Sequence, residues 1–245
     1  MTTAILIALL AATPRPSSAQ APADLYNQGN RLYAEGSYQS AVESYHRALG
    51  QGLHPDLLYN LGNAYFKTGQ VGWAIISYRR AAYLAPRDRD ISANLTYARN
   101  YRIDKVLSPP GPLEAGLNRT LHLLSEREAS LLAGTAFLLA AVLLAFYIVF
   151  RKRYLLFMLL LPALGFLFCL AAQQAWAGQR GSRPAVVVVP EATALAGPGQ
   201  DFKEILLLHD GTEVTVREAR DQYLLVQLPG GSGGWVRKGT VEPVF

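Results

Sequence analysis

Two short stretches decide the N-terminal fold: residues 25–33 read LYNQGNRLY, and residues 58–66 read LYNLGNAYF. They stand 33 residues apart, and the same offset links Gly36 to Gly69, Ala41 to Ala74 and Tyr45 to Tyr78. Small residues at recurring helical positions allow two helices to approach closely, and the larger Leu and Tyr side chains fill the space between them. This repeat predicts pairs of helices stacked on their neighbours.

The pattern resembles the tetratricopeptide repeat, with Pro86 closing the second unit. We expect repeats at about 22–54 and 55–88 and a cap helix at 89–105, together filling 20–105. In that family the first helix of each pair lines a concave, peptide-binding face. The resemblance implies that the face here carries Tyr26, Asn30, Tyr33, Tyr59, Asn63, Phe66, Lys67 and Tyr97.

The repeated asparagines of this face have two readings. An Asn amide can pair with both the N–H and the C=O of an extended peptide, so Asn30 and Asn63 suit a binding groove. Alternatively, they bond only within the helical stack. The sequence leaves both possibilities open.

Two later segments are long enough to span a membrane. Residues 129–150 and 154–172 contain no charged side chain, and the basic turn 151–153 separates them. Because transport and proton relay use ionisable groups inside the membrane, this hairpin is predicted to be an anchor. The positive-inside rule places the turn in the cytoplasm.

Residues 1–19 have the apolar run and small-residue ending of a secretory signal peptide. A leader and a two-pass hairpin predict that both soluble domains are extracytoplasmic, on a bacterial inner (cytoplasmic) membrane. Residues 106–128 are expected to be a proline-rich linker and juxtamembrane segment.

The net charge of +5 does not indicate a nucleic-acid partner. Residues 184–245 contain five Lys or Arg and eight Asp or Glu, whereas the basic excess lies in the repeats, in the leader and beside the apolar segments. The excess therefore marks membrane topology rather than a phosphate-binding face.

Short β-rich runs separated by glycine turns fill residues 184–245 and predict a small all-β barrel. The expected strands are 185–189, 204–208, 212–217, 223–228 and 235–241. Residues 209–214 (HDGTEV) and 234–236 (GWV) resemble the bacterial SH3-like family, although Tyr223 and Ala196 replace the family's Trp and Arg. Trp235 is expected in the core rather than at a ligand.

The sequence offers no enzymatic chemistry. The four histidines lie in separate regions, the single Cys169 lies in an apolar run, and the glycine run 230–234 lies between strands. We therefore predict no catalytic residue, no metal site and no cofactor.

The fold class expected is multidomain: an all-α tetratricopeptide array, a two-helix transmembrane hairpin and a C-terminal all-β SH3-like barrel. This order resembles the BatE family of bacterial aerotolerance operons. The resemblance implies an adaptor or scaffold that associates with von Willebrand factor A-type membrane proteins and a MoxR-type AAA+ ATPase. The alternative is a cell-wall sensor whose SH3-like domain binds peptidoglycan peptides.

Overall fold

The computed structural model describes residues 22–50, 52–105 and 111–245. The predicted leader and the first residues of the proline-rich linker lie outside this part of the chain. The described residues form a helical array, a long helical hairpin and a C-terminal antiparallel sheet, as the sequence predicted. The helices are α1 (Pro22–Ala34), α2 (Tyr38–Leu49), α3 (Pro55–Lys67), α4 (Val71–Leu84), α5 (Arg89–Tyr101), α6 (Pro112–Leu121), α7 (Glu126–Phe150) and α8 (Tyr154–Gly181).

The first four helices form two antiparallel pairs, and the glycines of the repeat explain how closely they pack. A Cβ added at Gly29 would lie 2.4 Å from the Tyr45 ring, and one added at Gly62 would lie 2.6 Å from the Tyr78 ring. Only glycine admits these rings. Gly36 and Gly69 both have a φ of +80° in the turn between the helices of a pair, which a side chain would strain.

Helix α5 caps the array. It ends at Tyr101, whereas the sequence analysis predicted a cap helix that continues to residue 105. Its first turn is fixed by Asp88, whose side chain accepts hydrogen bonds from the N–H groups of Asp90 and Ile91. After Tyr101 the backbone turns to an extended conformation, with ψ of 153° at Arg102. The side chains of Arg102 and Asp104 bond to the C-terminal domain, and those contacts take the place of another helical turn.

The hairpin of α7 and α8 contains both apolar segments. Helix α7 begins with a capping box between Ser125 and Glu128, and Arg151 ends it in the left-handed conformation with φ of 53°. Both helices are long and apolar enough to cross a membrane, and most of their surface is exposed. Helix α8 continues through residues 173–181, beyond the predicted apolar segment, and leads directly into the sheet.

The C-terminal domain is one antiparallel sheet of seven strands with the order β3-β2-β6-β5-β4-β1-β7. The strands are β1 (Pro184–Val187), β2 (Glu191–Leu195), β3 (Glu204–His209), β4 (Glu213–Arg220), β5 (Tyr223–Gln227), β6 (Gly233–Arg237) and β7 (Val241–Pro243). Sequence analysis missed β2 and merged β6 with β7. Trp235 is buried, at 9% exposure, as expected of a core residue.

The helical array and the sheet share one hydrophobic core. Val186 of β1 and Val244 pack into the same buried cluster as Ile75 and Ile76 of α4. Gly72 makes this approach possible, because a Cβ there would lie 2.2 Å from the carbonyl oxygen of Val187. The sequence suggested two soluble domains separated by a membrane hairpin, but the structure joins them.

Polar contacts reinforce this junction. The carboxylate of Glu213 accepts hydrogen bonds from Arg79, Arg99 and Arg102 at 2.8–3.2 Å. Burial alone would raise the pKa of Glu213, but the three guanidinium groups hold it at about 2. Asp104 accepts from the N–H of His209 at 2.8 Å. These are charge-assisted hydrogen bonds between the helical array and the sheet.

The base of the hairpin also contacts the helical array. Arg180 of α8 and Tyr83 of α4 both donate to the carboxylate of Glu126 on α7. The ring of Tyr83 lies edge-on to Trp176, with centroids 5.0 Å apart. Tyr83 also packs on Phe245, with centroids 5.2 Å apart. The end of α4 is therefore where the array, the hairpin and the chain terminus meet.

Candidate protein-binding face

The residues predicted to bind a partner lie on α1, α3 and α5, the first helix of each pair. The sheet covers α4 and the end of α5, so it leaves the opposite side of the array uncovered. Along α3 and α5 the predicted residues range from half-buried Tyr59, Asn63 and Phe66 to exposed Lys67 and Tyr97. Hydrogen bonds link Tyr26 and Asn30 to α3 and link Tyr59 and Asn63 to α5, and the ring of Phe66 contacts that of Tyr97.

A ladder of asparagine side chains runs along this surface. Asn60 Nδ2 donates to the hydroxyl of Tyr26 at 3.0 Å and to Asn30 Oδ1 at 3.1 Å. One repeat later, Asn94 Nδ2 donates to the hydroxyl of Tyr59 at 3.1 Å and to Asn63 Oδ1 at 2.8 Å. Each step therefore joins one repeat to the next.

The tyrosines of the second helices complete the ladder. Tyr45 donates its hydroxyl hydrogen to Asn30 Oδ1, and Tyr78 donates to Asn63 Oδ1, both at 2.8 Å. Burial raises the pKa of both tyrosine hydroxyls, so they remain protonated donors at neutral pH. The carbonyl oxygens of Asn30 and Asn63 are thus fully used inside the stack.

The two readings of these asparagines can now be combined. Their oxygens serve the stack, which agrees with the structural alternative. Within the described residues, the amide nitrogens of Asn30 and Asn63 donate no hydrogen bond, so these N–H groups are free for a peptide carbonyl. The sequence suggested that each amide could pair with both the N–H and the C=O of a peptide. With the oxygens already bonded, only donation from the amide N–H groups is left for a peptide.

Asn60 and Asn94 were missed as parts of the face. The repeated pattern Asn-x-x-Asn at 27–30 and 60–63 was a visible signal for Asn60. Asn94 could be found only by shifting the offset from 33 to 34 residues, the shift that already aligns Leu95 with Leu61. The structure shows that the second step of the ladder, from α5 to α3, follows that longer spacing.

An aromatic cluster ends the face on the side of α5. The ring of Phe66 lies 5.4 Å from that of Tyr97 and 5.3 Å from that of Tyr101, and both tyrosines are more than half exposed. Tyr101 was not predicted as a site residue. Exposed aromatic rings beside free amide donors supply the apolar contact and the orienting bonds that an extended peptide needs.

Metal or cofactor chemistry is not evident in this part of the molecule. Among residues 22–50, 52–105 and 111–245, no group of three His, Cys, Asp or Glu side chains could hold a metal ion. Cys169 is buried in the hairpin as a free thiol.

A model of the tetratricopeptide repeat family matches residues 55–88, the second repeat. The match indicates protein–protein interaction scaffolding. No curated protein shows significant similarity to this chain.

Proposed function

We propose that this protein is a membrane-anchored, non-enzymatic adaptor that binds an extended segment of a protein partner on the face of α1, α3 and α5. The observation that carries the proposal is the asymmetry of the array. One side is occupied by the protein's own sheet, while the side bearing the asparagine ladder and the aromatic cluster is open.

The anchor is the hairpin of α7 and α8. Its exposed apolar surface is far larger than a water-soluble protein tolerates, which supports membrane insertion. The turn 151–153 faces the cytoplasm in this proposal, and the array and sheet lie outside the cytoplasm. The contacts of Glu126 with Arg180 and Tyr83 then hold the array close to the membrane surface.

The order of parts, including an SH3-like C-terminal domain, makes a BatE-type role the favoured setting. The partners would then be von Willebrand factor A-type membrane proteins and a MoxR-type AAA+ ATPase system, in an aerotolerance or envelope-stress complex.

The test uses substitutions that spare the stack. Asn30→Asp together with Asn63→Asp keeps the acceptor oxygens for Tyr45 and Tyr78 but removes the outward N–H donors. Losing two hydrogen bonds should weaken partner capture roughly ten-fold. The measurement is recovery of partners from solubilised membranes by the tagged full-length protein, with circular dichroism as the folding control.

The matched control carries Gln39→Glu and Gln222→Glu, which also add two negative charges, at exposed positions on α2 and on the turn before β5, away from the face. It should leave recovery unchanged. Equal recovery by the double variant and the control, with both proteins folded, would remove the face from the proposal.

A cleft on the sheet domain favours the second candidate, a cell-wall sensor. It has a volume of about 360 Å³ and mixed polar character, and is lined by Glu191, Ala192, Thr193, Leu195, Gln200, Glu204, Tyr223, Arg237 and Thr240. Charges of both signs suit a peptide carrying amino and carboxylate groups. Two results together would favour the sensor. The wild type would bind soluble peptidoglycan fragments and Arg237→Gln would not, and the asparagine variant would recover partners as well as the wild type does.

A further inference from the structure

A second cavity lies between the helical array and the base of the hairpin. Its volume is about 660 Å³, and α4, α5, α6 and α8 all contribute to its walls. The lining residues are Arg79, Ala82, Tyr83, Pro86, Leu95, Arg99, Asn118, Arg119, His122, Ala175, Trp176, Gly178 and Gln179. The proposed adaptor function does not use it.

The polar part of this lining is basic. Arg79, Arg99, Arg119 and His122 line the cavity, and none of the lining residues is acidic. Arg79 and Arg99 pair with Glu213, which they share with buried Arg102, and Glu126 pairs with Arg180. One carboxylate thus faces three guanidinium groups, so the cluster has an excess of positive charge.

That excess is costly where the groups are shielded from water. The side chain of Arg79 is only 12% exposed and that of Arg102 only 7%, and Arg102 Nε has no hydrogen-bond partner. Burial lowers the pKa of Arg79, which reflects the same cost. An anion in the cavity would lower the free energy of this cluster.

Two further groups at the cavity have unused hydrogen-bonding capacity. Arg119 makes no hydrogen bond or ion pair within the described residues. The ring of His122 lies edge-on to Trp176, with centroids 4.3 Å apart, and its Nδ1 lies 2.7 Å from the carbonyl oxygen of Asn118. Because that carbonyl only accepts, Nδ1 carries the hydrogen. The buried Nε2 has no hydrogen-bond partner among the described residues, and in an imidazolium this nitrogen is a donor.

The position of the cavity along α8 identifies the source of the anion. The apolar segment ends at residue 172, and the lining residues 175–179 lie about 4–10 Å beyond it at 1.5 Å per residue. The polar headgroup layer extends about 5–7 Å outside each face of the hydrocarbon core. If the hairpin spans the membrane as proposed above, the cavity opens at the level of the lipid headgroups.

We propose that this cavity binds the phosphate headgroup of an anionic glycerophospholipid. Arg119 and His122 donate to the phosphate, and the excess charge around Glu213 attracts it. Ala82, Leu95 and Ala175 offer apolar contact to the glycerol and the first acyl carbons. The bound lipid would hold the array in one orientation against the bilayer.

The inference rests on the membrane anchoring in the proposed function but not on the partner-binding face. The test titrates the purified full-length protein, in an uncharged detergent, with short-chain phosphatidylglycerol and follows the heat of binding. Phosphatidylcholine of the same chain length and glycerol 1-phosphate are titrated in parallel. We expect saturable binding of phosphatidylglycerol that is at least about ten-fold tighter than that of either comparison ligand.

The variants are Arg119→Gln with His122→Gln, and Arg127→Gln as the control. Arg127 lies at the same level of the hairpin but does not line this cavity. The double variant should bind phosphatidylglycerol about ten-fold more weakly, because it loses two charge-assisted bonds, and the control should bind as the wild type does. Arg119→Gln alone, at an exposed position that does not threaten the fold, should show part of the loss.

Three results would overturn the inference: no saturable binding, equal affinity for phosphatidylcholine, or equal losses in the double variant and the control. If glycerol 1-phosphate bound as tightly as the lipid, the ligand would be a soluble anion, and that result would also overturn the inference. Extraction of membranes with alkaline carbonate distinguishes a failure of the lipid site from a failure of the membrane anchoring in the proposed function. A protein that resists extraction but binds no lipid refutes the lipid site alone, whereas one that is released refutes the anchor as well.

Discussion

In both helical repeats a tyrosine of the second helix packs on a glycine of the first and donates to an asparagine one residue further on. Tyr45 does so with Gly29 and Asn30, and Tyr78 does so in the second repeat. The outer surfaces of the same helices differ. At equivalent positions α2 has Gln39 and Glu43 and is followed by Gly50, whereas α4 has Gly72, Ile76 and Tyr83.

The difference corresponds to what each helix contacts. The outer side of α2 carries exposed polar residues, while Ile76 is fully buried in the core shared with the sheet. Tyr83 meets the hairpin. The repeat motif thus determines how helices pair within the array, and the residues between the motif positions determine what the array attaches to.

The largest effect should come from removing the carboxylate that joins the second repeat to the sheet. Glu213→Gln leaves three guanidinium groups without their counter-charge and should lower the free energy of unfolding by about 3–5 kcal/mol. Thermal unfolding of the full-length protein in detergent measures it. Glu218→Gln, an exposed glutamate on the same strand, should change stability by less than about 0.5 kcal/mol. Similar effects of the two variants would contradict the assigned role of Glu213.

Acid should weaken the same junction. The pKa of Glu213 falls from an ordinary 4.5 to about 2 in the folded protein, so its stabilisation is present above pH 4.5 and is lost as the pH falls towards 2. The loss should reach up to about 3 kcal/mol. The measurement compares the free energy of unfolding of the wild type with that of Glu213→Gln, at pH 6 and at about pH 3. Parallel pH profiles for the two proteins would show that Glu213 is not the titrating group.

Exchanging the outer residues tests the comparison directly. Gly72→Gln places in α4 the glutamine that α2 has at the equivalent position 39. The Cβ of the new side chain would collide with the Val187 carbonyl and with Asp210. The junction should lose about 1–3 kcal/mol, seen as faster hydrogen exchange in β1 and β4. The reverse change, Gln39→Gly, should cost only about 1 kcal/mol and leave exchange in the sheet unaltered. Unchanged exchange in Gly72→Gln would mean that α4 does not carry the sheet.

The smallest difference is expected inside the repeats. Gly29→Ala and Gly62→Ala each push a methyl group into a tyrosine ring, and both should destabilise the array. Because the contacts are equivalent, the two losses in unfolding free energy should agree within about 0.5 kcal/mol. A much larger loss in one repeat would show that the internal packing is less alike than the motif suggests.

The sequence by itself determined the local structure of this protein. Helix pairing was predictable because Gly29, Gly62 and their partners recur at a fixed offset, and each contact joins residues about 15 positions apart. The hairpin was predictable because uncharged segments of that length have few other stable environments. Most strands were predictable from alternation and glycine turns. Strand β2 was missed because its buried positions hold only Ala192 and Ala194, and alanine is depleted in strands and gives a weak apolar signal.

The tertiary structure alone decided how the parts meet. The bonds of Arg79 and Arg102 to Glu213 join residues more than 100 positions apart, and no periodic pattern encodes such a contact. The same holds for the candidate face. The asparagines were visible in the sequence, but only the stacking of α3 on α1 and of α5 on α3 showed that their oxygens are used internally. The stacking also showed that their N–H groups have no partner among the described residues. Local patterns fix what each segment can become, because they act through neighbouring residues. Which buried charges and surfaces pair depends on the complete fold.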